Sequence, residues 1–319
     1  MLMAFAKYPK TGYHINMISQ PSLITVAAQA DLFGENSTTM VSPPRSSLLK
    51  WVGNKYRFAS QIVSFFPTSY RRYFEPFLGS GAVLATLAPR DALASDIFKP
   101  LIEIWQELKT SPETLVQWYA VRWQRIKEGE KVAVYEAIKA SYNSNPNGAD
   151  LLFLARSCYG GIVRFRQADG YMSTPCGIHN PIAPPEFARR VSEWNRRVSS
   201  TTFRHMEFEE AIRLAGPGDL VYCDPPYSDS QSILYGAQAF SLERLFREIE
   251  GAKVRGAKVA LSIDGTKRSG RHNVILPIPP GLFEREVLVE VGRSMLKRFQ
   301  MNGKTLEEEV VHDRLLLTY

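Results

Sequence analysis

The run Asp224-Pro225-Pro226-Tyr227 carries the strongest chemical signal in the sequence. It follows the apolar stretch 220–223, which the pattern predicts to be a buried strand. Proline fixes its own φ and pushes the preceding residue towards extended backbone, so we expect Asp224 to be held rigidly beyond the strand. The Asp224 carboxylate and the Pro225 carbonyl are two acceptors for the two N–H groups of an exocyclic amine. Tyr227 is placed to stack on the ring that bears the amine. For the motif in isolation, a stiff turn is the alternative.

A glycine-rich turn and a following acid predict a nucleoside-binding site. The turn, residues 74–81, follows a short predicted strand, and its glycines let the backbone approach a ligand closely. Asp96 ends the next predicted strand, where an acid accepts hydrogen bonds from ribose hydroxyls. Leu84 occupies the position of a third dinucleotide-motif glycine, which argues against NAD. A tight turn with an unrelated surface Asp is the alternative. The expected ligand contacts are Glu75, Phe77, Gly79, Gly81 and Asp96.

The run 50–55, Lys-Trp-Val-Gly-Asn-Lys, places an indole and two ammonium groups before a predicted helix. This signal is weak by itself. Trp51 is more often a core residue than a ligand wall, and Lys55 is more often solvated.

Residues 156–204 form a basic segment with eight arginines, no lysine and three acidic residues. The alternation over 159–166 fits an arm of a β-hairpin, with Asp169-Gly170 as its turn. Arginines contact phosphates and guanine edges, and aromatic rings stack on unpaired bases, so this composition suits duplex DNA. A solvated basic face is the alternative. The expected DNA contacts are Tyr159, Arg164, Phe165, Arg166, Arg189, Arg190, Arg196 and Arg197.

The elements that must position these residues alternate as in an α/β protein with a parallel sheet. The pattern predicts a helix from near Asn54, a strand at 73–75, a helix through Ala88 and a strand at 92–95. Two or three helices follow between residues 100 and 140. Further strand-like runs lie at 220–223, 258–262, 286–291 and 309–319.

These elements divide the chain into three parts. Residues 1–47 are interpreted as an arm of unknown role. Residues 48–100 and 205–319 contain the predicted sheet, and residues 101–204 form an inserted region, helical over 101–155 and hairpin-like over 156–204.

Composition bounds the class of protein. The chain has 319 residues, 45% of them hydrophobic, and a formal net charge of +7, which favours a polyanionic partner. The three cysteines, Cys158, Cys176 and Cys223, show no paired spacing, so neither a disulfide framework nor a zinc site is indicated. No apolar run is long enough to span a membrane, and residues 1–10 do not read as a signal peptide. We expect a cytoplasmic protein without a metal.

Taken in order, the motifs resemble those of the Dam-like, D12-class DNA adenine N6-methyltransferases of the α group. The resemblance covers about residues 48–319 and implies a Rossmann-like sheet that holds S-adenosylmethionine at its C-terminal edge. It implies that residues 48–100 and 205–319 form the catalytic domain and that residues 101–204 form the target-recognition region. It implies further that Trp51, Lys55, Asp96 and Asp224 contact the cofactor or the active site. Glu207-Phe208 stands where the family often has Asp-Phe, so Glu207 is expected to accept from the cofactor's adenine.

The resemblance also implies a mechanism, in which adenine leaves the duplex and accepts the methyl group directly, without a metal or a covalent nucleophile. The segment 159–161 reads Tyr-Gly-Gly, where the family commonly has aromatic-Asn-Gly. The alternatives are cytosine N4 methylation, which more often uses Ser in place of Asp224, glutamine methylation of a protein, and a catalytically silent DNA-binding homologue. The recognition sequence, a companion restriction endonuclease and the choice between monomer and dimer stay open.

Overall fold

A mixed β-sheet forms the centre of the fold. In the part of the chain that the structure describes, this sheet has seven strands. The computed structural model describes residues 36–37, 42–166, 168–226, 240–264, 266–267, 272–273, 277–292 and 311–319. The strands are β1 (Asn36–Ser37), β2 (Ser69–Tyr70), β3 (Tyr73–Glu75), β4 (Ala92–Asp96), β5 (Thr201–His205), β6 (Leu220–Cys223), β7 (Lys258–Asp264), β8 (Thr266–Lys267), β9 (His272–Asn273), β10 (Arg285–Gly292) and β11 (Val311–Leu317).

Helices cover both faces of this sheet. The helices are α1 (Ala59–Ser64), α2 (Ala82–Leu87), α3 (Lys99–Thr110), α4 (Pro112–Glu128), α5 (Lys131–Ser144), α6 (Gly148–Ser157), α7 (Pro184–Val198), α8 (Phe208–Arg213) and α9 (Leu242–Val254).

The order of the strands fixes where a ligand can bind. The large sheet runs β10-β11-β7-β6-β3-β4-β5. Strands β7, β6, β3, β4 and β5 are parallel to one another, whereas β11 and β10 are antiparallel to their neighbours. The chain leaves β3 towards β4 on one side and later returns to β6 on the other. The connection after β3 and the connection after β6 therefore run to opposite sides of the sheet. This leaves a crevice between the carboxyl ends of β3 and β6, and open α/β sheets bind ligands at such a crevice.

The sheet separates two hydrophobic cores. Alternate residues of β6 point to opposite faces, so that Leu220 and Tyr222 join the first core while Val221 and Cys223 join the second. The first core lies beneath α1 to α7, and the second lies beneath α8 and α9. A strand buried on both faces must be apolar throughout, which explains the continuous run 220–223.

The predicted α/β class is confirmed, and so are the strands at 73–75, 92–96 and 220–223. Three helices, α3 to α5, occupy the stretch in which two or three were expected. The helix predicted from near Asn54 begins instead at Ala59, because the Asn54 side chain accepts from the Tyr56 amide at 2.8 Å and residues 56–58 form a turn.

Two features of the basic segment differ from the prediction. Its second half, expected to be hairpin-like, is α7, and Pro184 and Pro185 open that helix because proline is tolerated in a first helical turn. The boundary expected at 204/205 falls inside β5, which pairs with β4 and belongs to the sheet.

Residues 42–47, assigned to the arm, lie against α7, where Trp194 donates to the Ser46 carbonyl at 2.8 Å.

The first half of the basic segment folds back on itself as predicted, but isolated bridges hold it instead of strands. Tyr159–Gly161, expected in a hairpin arm, forms a 3-10 helix. Cys158 lies opposite Cys176, and Phe165 lies opposite Met172, in antiparallel pairing. The Arg166 amide donates to the Tyr171 carbonyl at 2.9 Å and closes the turn. Gly170 supplies a left-handed φ of +67° in that turn. Residues 158–176 are called the hairpin below.

Candidate active site

The crevice between β3 and β6 contains a pocket of about 940 Å³, counting the open space at its mouth. Residues from three separate motifs meet in it, because β3, β4 and β6 all end at this edge of the sheet. Of the residues predicted from sequence, the pocket wall contains Trp51, Lys55, Glu75, Phe77, Gly79, Asp96, Glu207, Asp224 and Pro226. Tyr227 lies outside the described residues.

Asp224 and Lys55 form an ion pair at the end of β6. The Lys55 Nζ lies 2.7 Å from Asp224 Oδ1, and its side chain is only 5% exposed. The same ammonium donates to the Gly53 carbonyl at 3.3 Å. A buried charge needs a partner, so the carboxylate and the ammonium stabilise each other's charged form in the pocket. Lys55 was predicted to contact the cofactor or the active site. The structure shows that Lys55 directly contacts the Asp224 carboxylate.

Glu75 is a second carboxyl on the pocket wall, at the end of β3. It is buried, and the Tyr73 hydroxyl donates to its Oε2 at 2.6 Å. Burial raises the pKa of Glu75 to about 8, and the nearby charge of Asp224 acts in the same direction. Glu75 is therefore mostly protonated at neutral pH, which leaves Asp224 as the charged member of the two.

Asp96 ends β4 and organises the glycine-rich turn. Its Oδ2 accepts from the Gly79 amide and its Oδ1 from the Phe98 amide, each at 3.0 Å. Burial raises the pKa of Asp96 to about 6, while these two amides act in the opposite direction. The Ile97 amide is a third donor to this group, and since a carboxylate has about four acceptor positions, at least one stays available for a ligand's hydroxyl.

Backbone conformation at both glycines of the turn, and the Trp105 ring at Gly81, explain why the turn requires glycine. Gly79 and Gly81 adopt φ of +47° and +61°, which side chains disfavour. A Cβ on Gly81 would lie 2.9 Å from the Trp105 ring, and one on Gly79 would lie 3.5 Å from Trp51. The Trp105 indole also donates to the Gly79 carbonyl at 3.2 Å. The backbone of the turn is thus held against two rings while its other side faces the pocket.

Aromatic and aliphatic side chains form the remaining wall. The rings of Phe77 and Phe208 are stacked with centroids 5.1 Å apart, and Phe240 meets Phe77 edge-on at 5.9 Å. Ile97, directly after Asp96, also lines the pocket and is 45% exposed. Sequence reasoning gave no role to Ile97 or Phe240. The position of Ile97 next to a strand-ending acid was an available signal, whereas Phe240 is distant from every motif.

The hairpin presents some of the expected DNA contacts and buries another. Arg164 is exposed, and Tyr159 is 46% exposed. Arg166 pairs with Asp169 at 2.6 Å on the hairpin turn. Phe165 is half-buried and packs edge-on against Phe98, with centroids 5.5 Å apart, so it anchors the hairpin instead of facing solvent.

The four arginines of α7 divide into two pairs. Arg189 and Arg196 are exposed. The side chains of Arg190 and Arg197 are 19% and 15% exposed, and they donate to the carbonyls of Ser47 and Ala85 at 3.1 and 3.2 Å. The second pair therefore stabilises the protein's own backbone.

The described residues contain no group of three or more His, Cys, Asp or Glu side chains arranged to hold a metal ion. Among the helices described, none is long and apolar enough to cross a membrane.

Residues 51–273 match the family model of the D12 class N6 adenine-specific DNA methyltransferases, which is more than half of the chain. The chain belongs to this family. The matched span begins at Trp51 and includes the glycine-rich turn, Asp96 and the motif 224–227, so the pocket residues predicted from sequence lie within it.

Individual relatives agree with the family. The DNA N-6-adenine-methyltransferase of Escherichia phage P1 is 28% identical over 69% of this chain, although the match spans only 30% of the phage protein. The Type II methyltransferase M1.LlaDCHI of Lactococcus lactis subsp. cremoris is 29% identical over 61% of this chain and 71% of that protein. The DNA adenine methylase of Vibrio cholerae is 27% identical over 70% of this chain and 83% of that protein.

Proposed function

We propose that the protein transfers the methyl group of S-adenosylmethionine to the N6 amine of an adenine in duplex DNA. The observation that carries the proposal is Asp224, which is fixed by Lys55 at the wall of a pocket that Asp96 and the glycine-rich turn also line. An acceptor for an amine thus lies in the same crevice as an acceptor for ribose.

The pocket residues fit a nucleoside with a cationic group. Asp96 has a spare acceptor position for a ribose hydroxyl, and the stacked Phe77 and Phe208 offer an apolar wall for a purine. Glu207, at the start of α8, also lines the pocket and can accept from an exocyclic amine. When bound, S-adenosylmethionine supplies a methyl group on a positively charged sulfur.

Asp224 and Pro225 carry out the positioning of the target. The carboxylate and the Pro225 carbonyl accept the two N–H groups of the adenine amine and draw its lone pair out of conjugation with the ring. As the N–C bond forms and the S–C bond breaks, the sulfur would become a neutral thioether and the nitrogen would gain positive charge. The Asp224 carboxylate stabilises that charge until the nitrogen releases one proton to solvent and becomes a neutral methylated amine. The amine of a paired adenine cannot reach a pocket in the protein, so the base must leave the stack.

Exposed arginines supply the contacts to DNA. We assign phosphate contacts to Arg189 and Arg196, and base contacts to the hairpin through Arg164, Arg166 and Tyr159. A companion restriction endonuclease stays a prediction; the name Type II methyltransferase, carried by the Lactococcus relative, supports it. A cytoplasmic location also stays a prediction.

The test is Asp224→Ala, assayed with labelled S-adenosylmethionine and duplex DNA, with the product nucleoside identified by mass spectrometry. We expect the rate to fall by at least about 100-fold, while cofactor and DNA affinities stay measurable, because the carboxylate acts on the target amine. Asp91→Asn, which changes a half-exposed carboxylate outside the pocket, is the matched control. Near-normal turnover by Asp224→Ala would contradict the site, and N4-methylcytosine as the product would contradict the substrate.

A further inference from the structure

Strand β11 brings an additional carboxylate to the pocket's edge. Asp313 lies two and four residues before Leu315 and Leu317, which face the first core, and successive strand residues alternate between faces. Asp313 therefore shares the sheet face of Tyr222 and Asp224. Because β11 is antiparallel to β7, the first residues of β11 lie at the edge where the parallel strands end.

Lys55 connects the two aspartates. Its Nζ lies 2.7 Å from Asp224 and 3.9 Å from Asp313, and the Asp313 side chain is only 10% exposed. Two carboxylates thus share one ammonium in a place where water screens charge poorly. The longer separation makes Asp313 the second partner of Lys55, behind the residue that faces the pocket.

We infer that Asp313 is a positioning residue for methyl transfer, which acts on Asp224 through Lys55. The inference rests on the proposed function, because it assumes that Asp224 accepts the target amine. During methyl transfer the Asp224 carboxylate must accept a hydrogen bond from the target amine, and its interaction with the Lys55 ammonium then weakens. Asp313 holds the ammonium in place and compensates its charge while this happens. Asp313 touches neither substrate nor cofactor in this account.

Three predictions distinguish positioning from a merely structural role. Asp313→Asn keeps the shape and removes the charge, so we expect kcat to fall roughly tenfold while cofactor Kd and DNA KM stay within about twofold of wild type. Asp313→Glu should restore most of kcat, because the 3.9 Å separation leaves room for a longer side chain. In a Lys55→Met background, Asp313→Asn should have no further effect on kcat.

The experiment measures single-turnover methylation, cofactor affinity and thermal unfolding for these variants beside Asp224→Ala. Glu286→Gln on β10 is the matched control, because it removes a carboxylate that pairs with Arg314 on the adjacent strand, and it should retain wild-type kcat. Asp313→Ser replaces Asp313→Asn in every comparison if the latter does not fold.

The outcomes separate the two proposals. The role of Asp313 is overturned if Asp313→Asn keeps wild-type kcat or changes only the affinity for the cofactor. It is also overturned if Asp313→Glu has no higher kcat than Asp313→Asn, or if Asp313→Asn lowers kcat as much in the Lys55→Met background as in the wild type. If Asp224→Ala itself keeps its activity, the proposed active site fails, whatever Asp313 does.

Discussion

Asp96 combines two tasks in one carboxylate, and their combination makes cofactor binding depend on pH. The group fixes the glycine-rich turn through the Gly79 amide and is expected to accept from ribose hydroxyls. Its pKa of about 6 is high for an Asp because the side chain is buried. Protonation below that pH removes acceptor capacity, so affinity for S-adenosylmethionine should weaken as the pH falls.

We therefore expect wild-type cofactor affinity to be weaker at pH 5 than at pH 8. Asp96→Asn should weaken it by roughly one to two orders of magnitude at pH 8 and should remove the part of the pH dependence centred near pH 6, while the part due to Glu75, whose pKa is about 8, persists. Calorimetric titration with S-adenosylmethionine across this range is the measurement. A variant that titrates like wild type would show that another group is responsible.

Glu75 predicts a pH dependence of stability with a definite sign. Its pKa is about 8 in the folded protein, against 4.5 for an ordinary Glu. Between these values the folded state binds more protons than the unfolded chain, so this group lowers the free energy of unfolding as the pH rises, by about 1.4 kcal/mol per unit.

Glu75→Gln removes this titration and keeps an acceptor for the Tyr73 hydroxyl. The Tm of the variant relative to wild type should accordingly increase from pH 5 to pH 8. Thermal unfolding at several pH values measures the difference. If the difference is the same at both ends of the range, Glu75 is not the titrating group.

Sequence reasoning at the residue scale predicted many of the residues that the structure places on the pocket wall, but not how they contact each other. Asp224 and Asp96 were predicted because each ends a strand, and strand ends meet at one edge of a sheet. The pairing of Lys55 with both Asp224 and Asp313 depends on how a loop before α1 crosses the ends of β6 and β11. Those segments are far apart in the chain, and no local pattern specifies their contact.

At the scale of elements, the cap of α2 couples the glycine-rich turn to the first core. Gly81 is the N-cap of α2, and its left-handed φ allows Trp105 of α3 to pack against the backbone. Helix α3 is therefore positioned by the same turn that faces the pocket.

Comparing alanine variants of Gly81 and Gly170 measures how much the contact with Trp105 contributes to the stability of the protein. Gly81 and Gly170 have nearly equal φ, +61° and +67°, but a Cβ on Gly170 would have nothing within 4 Å. Alanine at either position incurs the left-handed penalty of about 1–2 kcal/mol. Gly81→Ala also forces a Cβ against Trp105, so its loss of unfolding free energy should be larger by about 1–3 kcal/mol. Urea unfolding of both variants measures this, and equal losses would contradict the role of Trp105.

Elements were predictable where the local pattern was strong. The apolar run of β6 and the glycine-rich turn are local signals, and both were located correctly. Strand β5 was missed because Thr201–His205 has no apolar run, and its strand form depends on pairing with β4. Helix α7 was not predicted, because the two prolines that open it, Pro184 and Pro185, occur in turns as well as in first helical turns.

At the scale of the whole molecule, the positive charge is divided between stability and binding. The sequence placed eight arginines in one segment but could not separate the buried ones from the exposed ones. Arg190 and Arg197 join α7 to the preceding chain and to α2. The surface available to DNA is smaller than the composition suggests, and Arg189, Arg196 and Arg164 belong to it.

This division predicts different consequences for two double variants of α7 that remove the same charge. Arg189→Ala with Arg196→Ala should leave Tm nearly unchanged and reduce the slope of log affinity against log salt by about 1 to 2, because each phosphate contact releases counterions. Arg190→Ala with Arg197→Ala should lower Tm clearly, since buried backbone acceptors lose their donors. Equal salt slopes for the first variant and wild type would exclude α7 as a phosphate contact.

Arg164 should act on sequence preference instead, because the hairpin carries it on an exposed turn-proximal position where a guanidinium can reach a base edge. A good base contact discriminates by about 1–3 kcal/mol, so Arg164→Ala should narrow the difference in methylation rate between a cognate duplex and a one-mismatch duplex by about 5- to 100-fold. The Arg189 and Arg196 double variant, assayed on the same duplexes at two salt concentrations, should slow both reactions without changing their ratio. The assignment is wrong if Arg164→Ala lowers the methylation rate equally on all duplexes while the α7 double variant changes the preferred sequence. In that case the hairpin contacts phosphates and α7 contacts the bases.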